Sequence, residues 1–333
     1  MDSITQSVKE LYESYPYPYS GVKGELLNDL LTLLYCLFNE SGIGLKDISK
    51  YTFFDAGCGS GQRILGVAKQ FPNAKFTGVD LCEHSLNIAK EQAKSQGINN
   101  ITFRQANLME LNENDRYDVV TSVGVIHHIS NPKTALVNIA KLIKDDGILI
   151  IHVYHTIGEY ERMLKRTIAR TLQGDQPLDT GIRIMKEMGY TLPIHQYGLY
   201  GYNLNLTEDD VSSKDADVYL HPQVFTYLFE EGIELFQGTS LDWMAVNSIN
   251  SLKGSYFIST SDPIESYSLN PADCLKTDYL LSLYQRLPML ERLRIIECLT
   301  QPTAFSMVAG KKAGLSKIGS RLRNQIVWLN KKG

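Results

Sequence analysis

One stretch of this chain narrows its fold more than any other. A β-forming run, Tyr51-Thr52-Phe53-Phe54, ends on Asp55, and Ala56-Gly57-Cys58-Gly59-Ser60-Gly61-Gln62 follows directly before a helical pattern opens. A chain that leaves a strand and enters a helix must turn tightly, and residues without a Cβ allow positive φ and close approach of a ligand to the backbone. Gly57, Gly59 and Gly61 supply that freedom. The dinucleotide spacing G-x-G-x-x-G is not met, because from Gly57 and Gly59 the third glycine would fall at Gln62, and from Gly59 and Gly61 at Ile64. The pattern present is D-x-G-x-G-x-G. A carboxylate at Asp55 would repel a pyrophosphate and attract the ammonium of a methionine moiety. The turn therefore favours S-adenosylmethionine over a nicotinamide dinucleotide.

These residues resemble motif I of the class I S-adenosylmethionine-dependent methyltransferases. Phe76-Thr77-Gly78-Val79-Asp80-Leu81 is similar to that family's second strand, whose terminal acid holds the ribose hydroxyls. Ala106-Asn107-Leu108 falls where the family usually carries an acid against the adenine amino group, with Asn107 here able to accept the same hydrogen bond. Tyr117 to Ile129, including Val123 and the pair His127-His128, resembles the fourth strand and its following loop. The resemblance covers about residues 51–155, and a fainter one links the opening Tyr15-Pro16-Tyr17-Pro18-Tyr19 to a bacterial group of such enzymes. It implies a cofactor site of Asp55, Gly57, Cys58, Gly59, Gly61, Gln62, Asp80, Leu81, Asn107, Leu108 and Val123.

Strand patterns at 51–56, 75–80, 101–105, 117–122 and 147–154 alternate with helical ones at 61–71, 83–97 and 132–144, so the expected fold is α/β with right-handed parallel crossovers. The family fold implied is a doubly wound, mostly parallel seven-stranded sheet with a helical N-terminal cover and a helical lid inserted after strand five. Around it five segments are expected: an N-terminal cap or strap at 1–50, the cofactor-binding half at 51–155 and a lid at 156–220. The rest of the sheet domain at 221–310, with a crossover helix over 221–232 leading into a strand at 234–237, and a basic tail at 311–333 complete the chain. The prolines at 16 and 18 suggest an extended strap displaying Tyr15, Tyr17 and Tyr19 over the cofactor.

Methyl transfer to an alcohol, phenol or ammonium needs a base. His128 is the first candidate, with His127, Tyr154 and His155 beside it, while Asp217 and His221 join the tyrosines as candidate acceptor contacts. His152 and His155 do not converge along a strand, and no zinc site is expected. The five cysteines contain no C-x-x-C and suit a reducing, cytoplasmic compartment, and no secretory signal is visible at the start.

Charge is uneven. Seven basic residues and no acid lie between Lys311 and Gly333, leaving residues 1–310 at a net −11. Leu315, Ile318, Leu322, Ile326 and Leu329 recur at helical steps, so the tail reads as an amphipathic helix with a cationic face. Docking on the acidic body is expected of it, with membrane contact as the alternative. The acidic body disfavours a nucleic-acid partner. The expected activity is methyl transfer to an oxygen or nitrogen of a small-molecule metabolite, with a protein or peptide acceptor as the alternative.

Overall fold

Ten strands build one sheet in the computed structural model of the protein, which describes residues 2–17, 26–190, 208–251, 254–259, 268–269 and 271–329. They are β1 (Thr52–Ala56), β2 (Lys75–Asp80), β3 (Ile101–Gln105), β4 (Tyr117–Val123), β5 (Ile143–Tyr154), β6 (Trp243–Ser251), β7 (Gly254–Ile258), β8 (Ser268–Leu269), β9 (Ala304–Gly310) and β10 (Val327–Trp328). Their order is β3-β2-β1-β4-β5-β9-β6-β7-β8, with β10 pairing β6.

The first five strands are parallel, as the strand-helix alternation predicts. Side chains explain why this half is buried on both faces. Phe53, Val119, Ile148 and Ile150 enter one apolar core, while Phe54, Val120, Leu149 and Ile151 enter another on the opposite face. Alternation of this kind along strands with no polar face requires helices on both sides. The order reverses at β1, which lies between β2 and β4, and a doubly wound sheet binds its ligand beyond the strand ends at that point.

The second half departs from the expected seven-stranded, mostly parallel sheet. β9 is antiparallel to β5 and β6, β7 is antiparallel to β6, and the short β8 and β10 extend the sheet further. Residues 234–237 are not a strand. They close the helix Phe229–Leu235, and the strand comes later as β6. The expected crossover helix begins at Phe229 rather than 221, since Tyr227 bridges to His155 as extended backbone and its N–H donates to the Tyr154 carbonyl at 3.0 Å.

The N-terminal cover begins as a helix, ahead of the segment expected to be an extended strap. Residues Ser3–Ser14 form a helix, capped by Asp2, whose carboxylate accepts from the Thr5 N–H at 2.9 Å. Residues 15–17 follow it, and Tyr19 lies outside the described residues. Within the lid, helices Tyr160–Gln173, Leu178–Glu187 and Glu208–Asp215 lead into a π-helical turn at Ala216–Leu220. Leu11 of the first helix packs with Ala169, Ile182, Met185, Ala216 and Leu220. N-terminal helix and lid thus share a small core of their own.

The basic tail is not an amphipathic helix. A 3-10 segment at Lys312–Lys317, one helical turn at Ser320–Arg323 and β10 follow one another. Gly319 breaks the pattern, because a Cβ there would stand 2.6 Å from the Glu40 carbonyl oxygen. The tail does fold back on the acidic body. Arg321 is fully buried and reaches Glu40 at 2.8 Å, and Lys317 lies 3.5 Å from Asp118 and 3.4 Å from Asp146.

Candidate active site

The turn after β1 does what its glycines foretold. Gly57, Gly59 and Gly61 all have positive φ, at 90°, 53° and 80°. At Gly57 a Cβ would come within 2.5 Å of Val125, so both conformation and space demand glycine. Asp80 at the end of β2 ties the turn in place: one oxygen accepts from the Gly59 N–H at 2.8 Å and the other from the Cys82 N–H at 2.9 Å. A carboxylate has about four acceptor positions in all, more than its backbone donors occupy, so it can still accept from a diol. Burial pushes the Asp80 carboxyl above its usual range, against those backbone bonds.

A cavity of about 200 Å³ opens at this strand edge. Asp55, Gly57, Cys58, Gly59, Asp80 and Leu81 line it, as do Asn107, Leu108 and Val123 further along. Gly61 and Gln62 stand behind the turn instead, with Gly61 capping the helix Gln62–Gln70 and Gln62 buried beneath it. Asp55 accepts from the Thr121 hydroxyl at 2.7 Å. Burial raises its carboxyl to about 6 despite the nearby Arg63. Asn107 accepts from the Met109 N–H at 3.1 Å and donates to Glu110 at 2.9 Å, which fixes its oxygen toward acceptor work.

The residues fit S-adenosylmethionine. Asp80 has acceptor positions left for ribose hydroxyls, Asp55 can face an ammonium, and Arg63, held by Asp29 at 2.8 Å, can face a carboxylate.

His128, Tyr154, Tyr17 and Asp217 line the same cavity. The Nδ1 of His128 lies 3.0 Å from the Gln223 carbonyl oxygen, which accepts only from a protonated nitrogen. The neutral ring therefore keeps its lone pair on Nε2. Burial depresses its basicity below the usual histidine value, and Asp217 opposes that shift. Asp217 accepts from the Tyr12 hydroxyl at 2.7 Å, and burial with this carboxylate holds the phenol far above its ordinary range.

The other candidates stand apart from the cavity. His127 is wholly buried between the rings of His128 and Tyr154, at 4.2 and 3.9 Å, and neither ring nitrogen has a partner among the described residues. His155 is wholly buried as well. Its Nδ1 accepts from the Ile157 N–H at 3.1 Å, its Nε2 lies 3.0 Å from Glu297, and Phe229 and Phe305 meet it edge to face. It fastens the end of β5 to the helix Met289–Thr300 rather than facing the cavity. Tyr15 donates to Asp179 of the lid, and His221 stacks behind His128 with its Nδ1 accepting from the Gln223 N–H at 3.1 Å.

Sequence reasoning missed part of the lining. Arg63 sits in the first turn of the helix that the glycine motif opens, so the motif itself could have pointed to it. Thr5, Val8 and Tyr12 reach the cavity from one face of the N-terminal helix. Their spacing of three and four is a helical signal that the prolines behind it obscured.

Comparison with known proteins agrees with this fold. Residues 47–189 match the model of a family described as methyltransferase domain. An uncharacterized protein of Synechococcus sp. is 26% identical over 330 residues, covering 93% of this chain and 72% of that one. The ubiquinone biosynthesis O-methyltransferase of Rickettsia canadensis is 36% identical over 106 residues, or 32% of this chain, which spans 44% of that enzyme's length. Among solved structures, PKMT2 from Rickettsia typhi superposes with a TM-score of 0.60 at 17% identity, covering 92% of this chain and 56% of that one. The sheet order, the glycine turn and the family match together support a methyltransferase domain in residues 47–189.

Proposed function

We propose that the protein is an S-adenosylmethionine-dependent methyltransferase acting on an oxygen or nitrogen of a small-molecule metabolite. One observation carries the reading: a single cavity joins the turn of Gly57 and Gly59 and the acid Asp80 to a separate polar end at His128 and Asp217. The cofactor supplies an electrophilic methyl group on a sulfonium. Asp80, Asp55 and Arg63 hold it at the strand edge; that PKMT2 from Rickettsia typhi, solved in complex with S-adenosylhomocysteine, shares the fold at a TM-score of 0.54 supports the choice of cofactor.

The chain's own residues perform three tasks. The N-terminal helix and the lid, packed together through Leu11 and Leu220, exclude water from the transfer. Tyr12, Tyr17, Tyr154 and Asp217 orient the acceptor, and positioning is where most of the barrier in an in-line displacement is lowered. His128 takes the acceptor proton through Nε2.

Calorimetry with S-adenosylhomocysteine tests the reading. Wild type should give saturable heat, and Asp80→Ala should weaken binding by about tenfold or more through loss of charge-assisted hydrogen bonds. No heat with wild type, or equal affinity in the variant, would overturn it.

A protein or peptide acceptor is the second reading. Tyr160, Leu164, Ile168 and Leu172 form an exposed row at four-residue steps along the first lid helix, which favours a docked chain. Methylation of peptides with no turnover of small acceptors would select it.

A further inference from the structure

Asp217 is a carboxylate with one hand occupied. It is 3% exposed, its Oδ1 accepts from Tyr12, and its Oδ2 makes no hydrogen bond among the described residues although Asp217 lines the cavity. No cation among the described residues makes an ion pair with it. Arg162, which contacts the Glu159 carboxylate and lies 4.2 Å from the centroid of the Tyr154 ring, acts on Asp217 only through space. A buried carboxylate without its own counterion is costly unless something charged or donating completes it.

The surroundings narrow what that is. Tyr12, Tyr17 and Tyr154 present rings and hydroxyls around the same space, and aromatic faces attract cations. His128 offers an Nε2 lone pair and no donor from that atom, since its proton is committed to the Gln223 carbonyl. A carboxylate, a ring cluster and a neutral base together suit a group that arrives as a cation and must lose a proton.

We infer that the methyl acceptor is an amine, held through its N–H groups on Asp217 within the Tyr12–Tyr17–Tyr154 cluster. This rests on the methyltransferase reading above and narrows its acceptor to nitrogen. An ammonium gives one proton to Nε2 of His128, and the freed lone pair forms the new N–C bond as the methyl carbon leaves sulfur. The C–S electron pair stays on sulfur as a neutral thioether, and the product is a methylated ammonium still paired with Asp217.

Binding to the S-adenosylhomocysteine complex tests this, using amines and alcohols of the same skeleton: benzylamine against benzyl alcohol, hexylamine against hexanol. Calorimetry at neutral pH should show the amines binding about tenfold or more tightly, the scale of one charge-assisted hydrogen bond. Asp217→Asn should abolish the preference without changing S-adenosylhomocysteine affinity. Tyr12→Phe, which removes a competing donor and keeps the packing, should retain it. Equal binding of alcohols, no binding of any amine, or an unchanged preference in Asp217→Asn overturns the inference while leaving the methyltransferase reading intact. Failure of S-adenosylhomocysteine itself to bind takes down both.

Discussion

His128 and His221 stack with ring centroids 3.8 Å apart and planes tilted by 27°, and both rings are steered by the backbone of Gln223. The carbonyl of that residue takes the Nδ1 proton of His128, while its N–H is accepted by Nδ1 of His221. A single residue thus sets opposite tautomers in the two rings, leaving His128 with a lone pair where the cavity begins.

His128→Gln should lower kcat by about 10²- to 10⁴-fold, the usual contribution of a general base. S-adenosylhomocysteine affinity should stay the same. The pH profile of the wild type is a second readout: since burial depresses the His128 pKa below 6.5, turnover is retained at neutral pH and falls only as pH drops through that lowered value. A variant with full turnover would place the base elsewhere.

Asp55 should make cofactor binding sensitive to mild acid. Its carboxyl is raised to about 6, so it is ionised above that pH and neutral below it. The ammonium of S-adenosylhomocysteine is attracted only by the ionised form. Affinity measured by calorimetry should therefore be level above pH 6 and decline by about tenfold per unit below it, and Asp55→Asn should flatten the curve. For the empty protein the sign is opposite, because a raised carboxyl binds its proton more tightly in the fold than in the unfolded chain. Its contribution to stability is lost as pH rises from 3.8 through about 6.

Gly57→Ala should cost about 2 kcal/mol or more of stability, through strain at φ 90° and contact with Val125. Chemical denaturation measures the loss. Cofactor affinity should fall with it, whereas Gly42→Ala, also at positive φ but with open space around a Cβ, should lose stability alone.

Arg321 is the anchor of the basic tail. Besides Glu40 it donates to the carbonyls of Asn247 and Ile258, at 3.0 and 2.8 Å. Arg321→Met should destabilise by about 3–5 kcal/mol, because Glu40 would be left buried without a counterion. The double variant Glu40→Gln/Arg321→Met should recover part of it in urea denaturation. Liposome binding should be absent in the wild type, since Lys317 and Arg321 are committed inside the fold. No helix among the described residues is long and apolar enough to cross a membrane.

The sequence by itself determined the parallel half of the sheet and the glycine turn and acids at the end of the cavity proposed to hold the cofactor. Both rest on local chemistry: alternating apolar residues, a glycine turn whose φ values follow from the residue type, and acids at the ends of β1 and β2. What covers that site was decided only in three dimensions. Helix Ser3–Ser14 and the turn Ala216–Leu220 are far apart along the chain, and they meet because Leu11, Ala216 and Leu220 bury their surface together, while the loop at His128 joins them through its ring stack on His221. The same holds for the histidines. His127, His128 and His155 look equivalent as residues after strands, yet packing buries all three and sets only His128 against the cavity, because neighbouring side chains on a turn or strand end point in different directions. The tail shows the reverse case: its spacing reads as an amphipathic helix with a cationic face, but the close approach of Gly319 to Glu40 and the pairing of Val327 with Met244 override local helix preference.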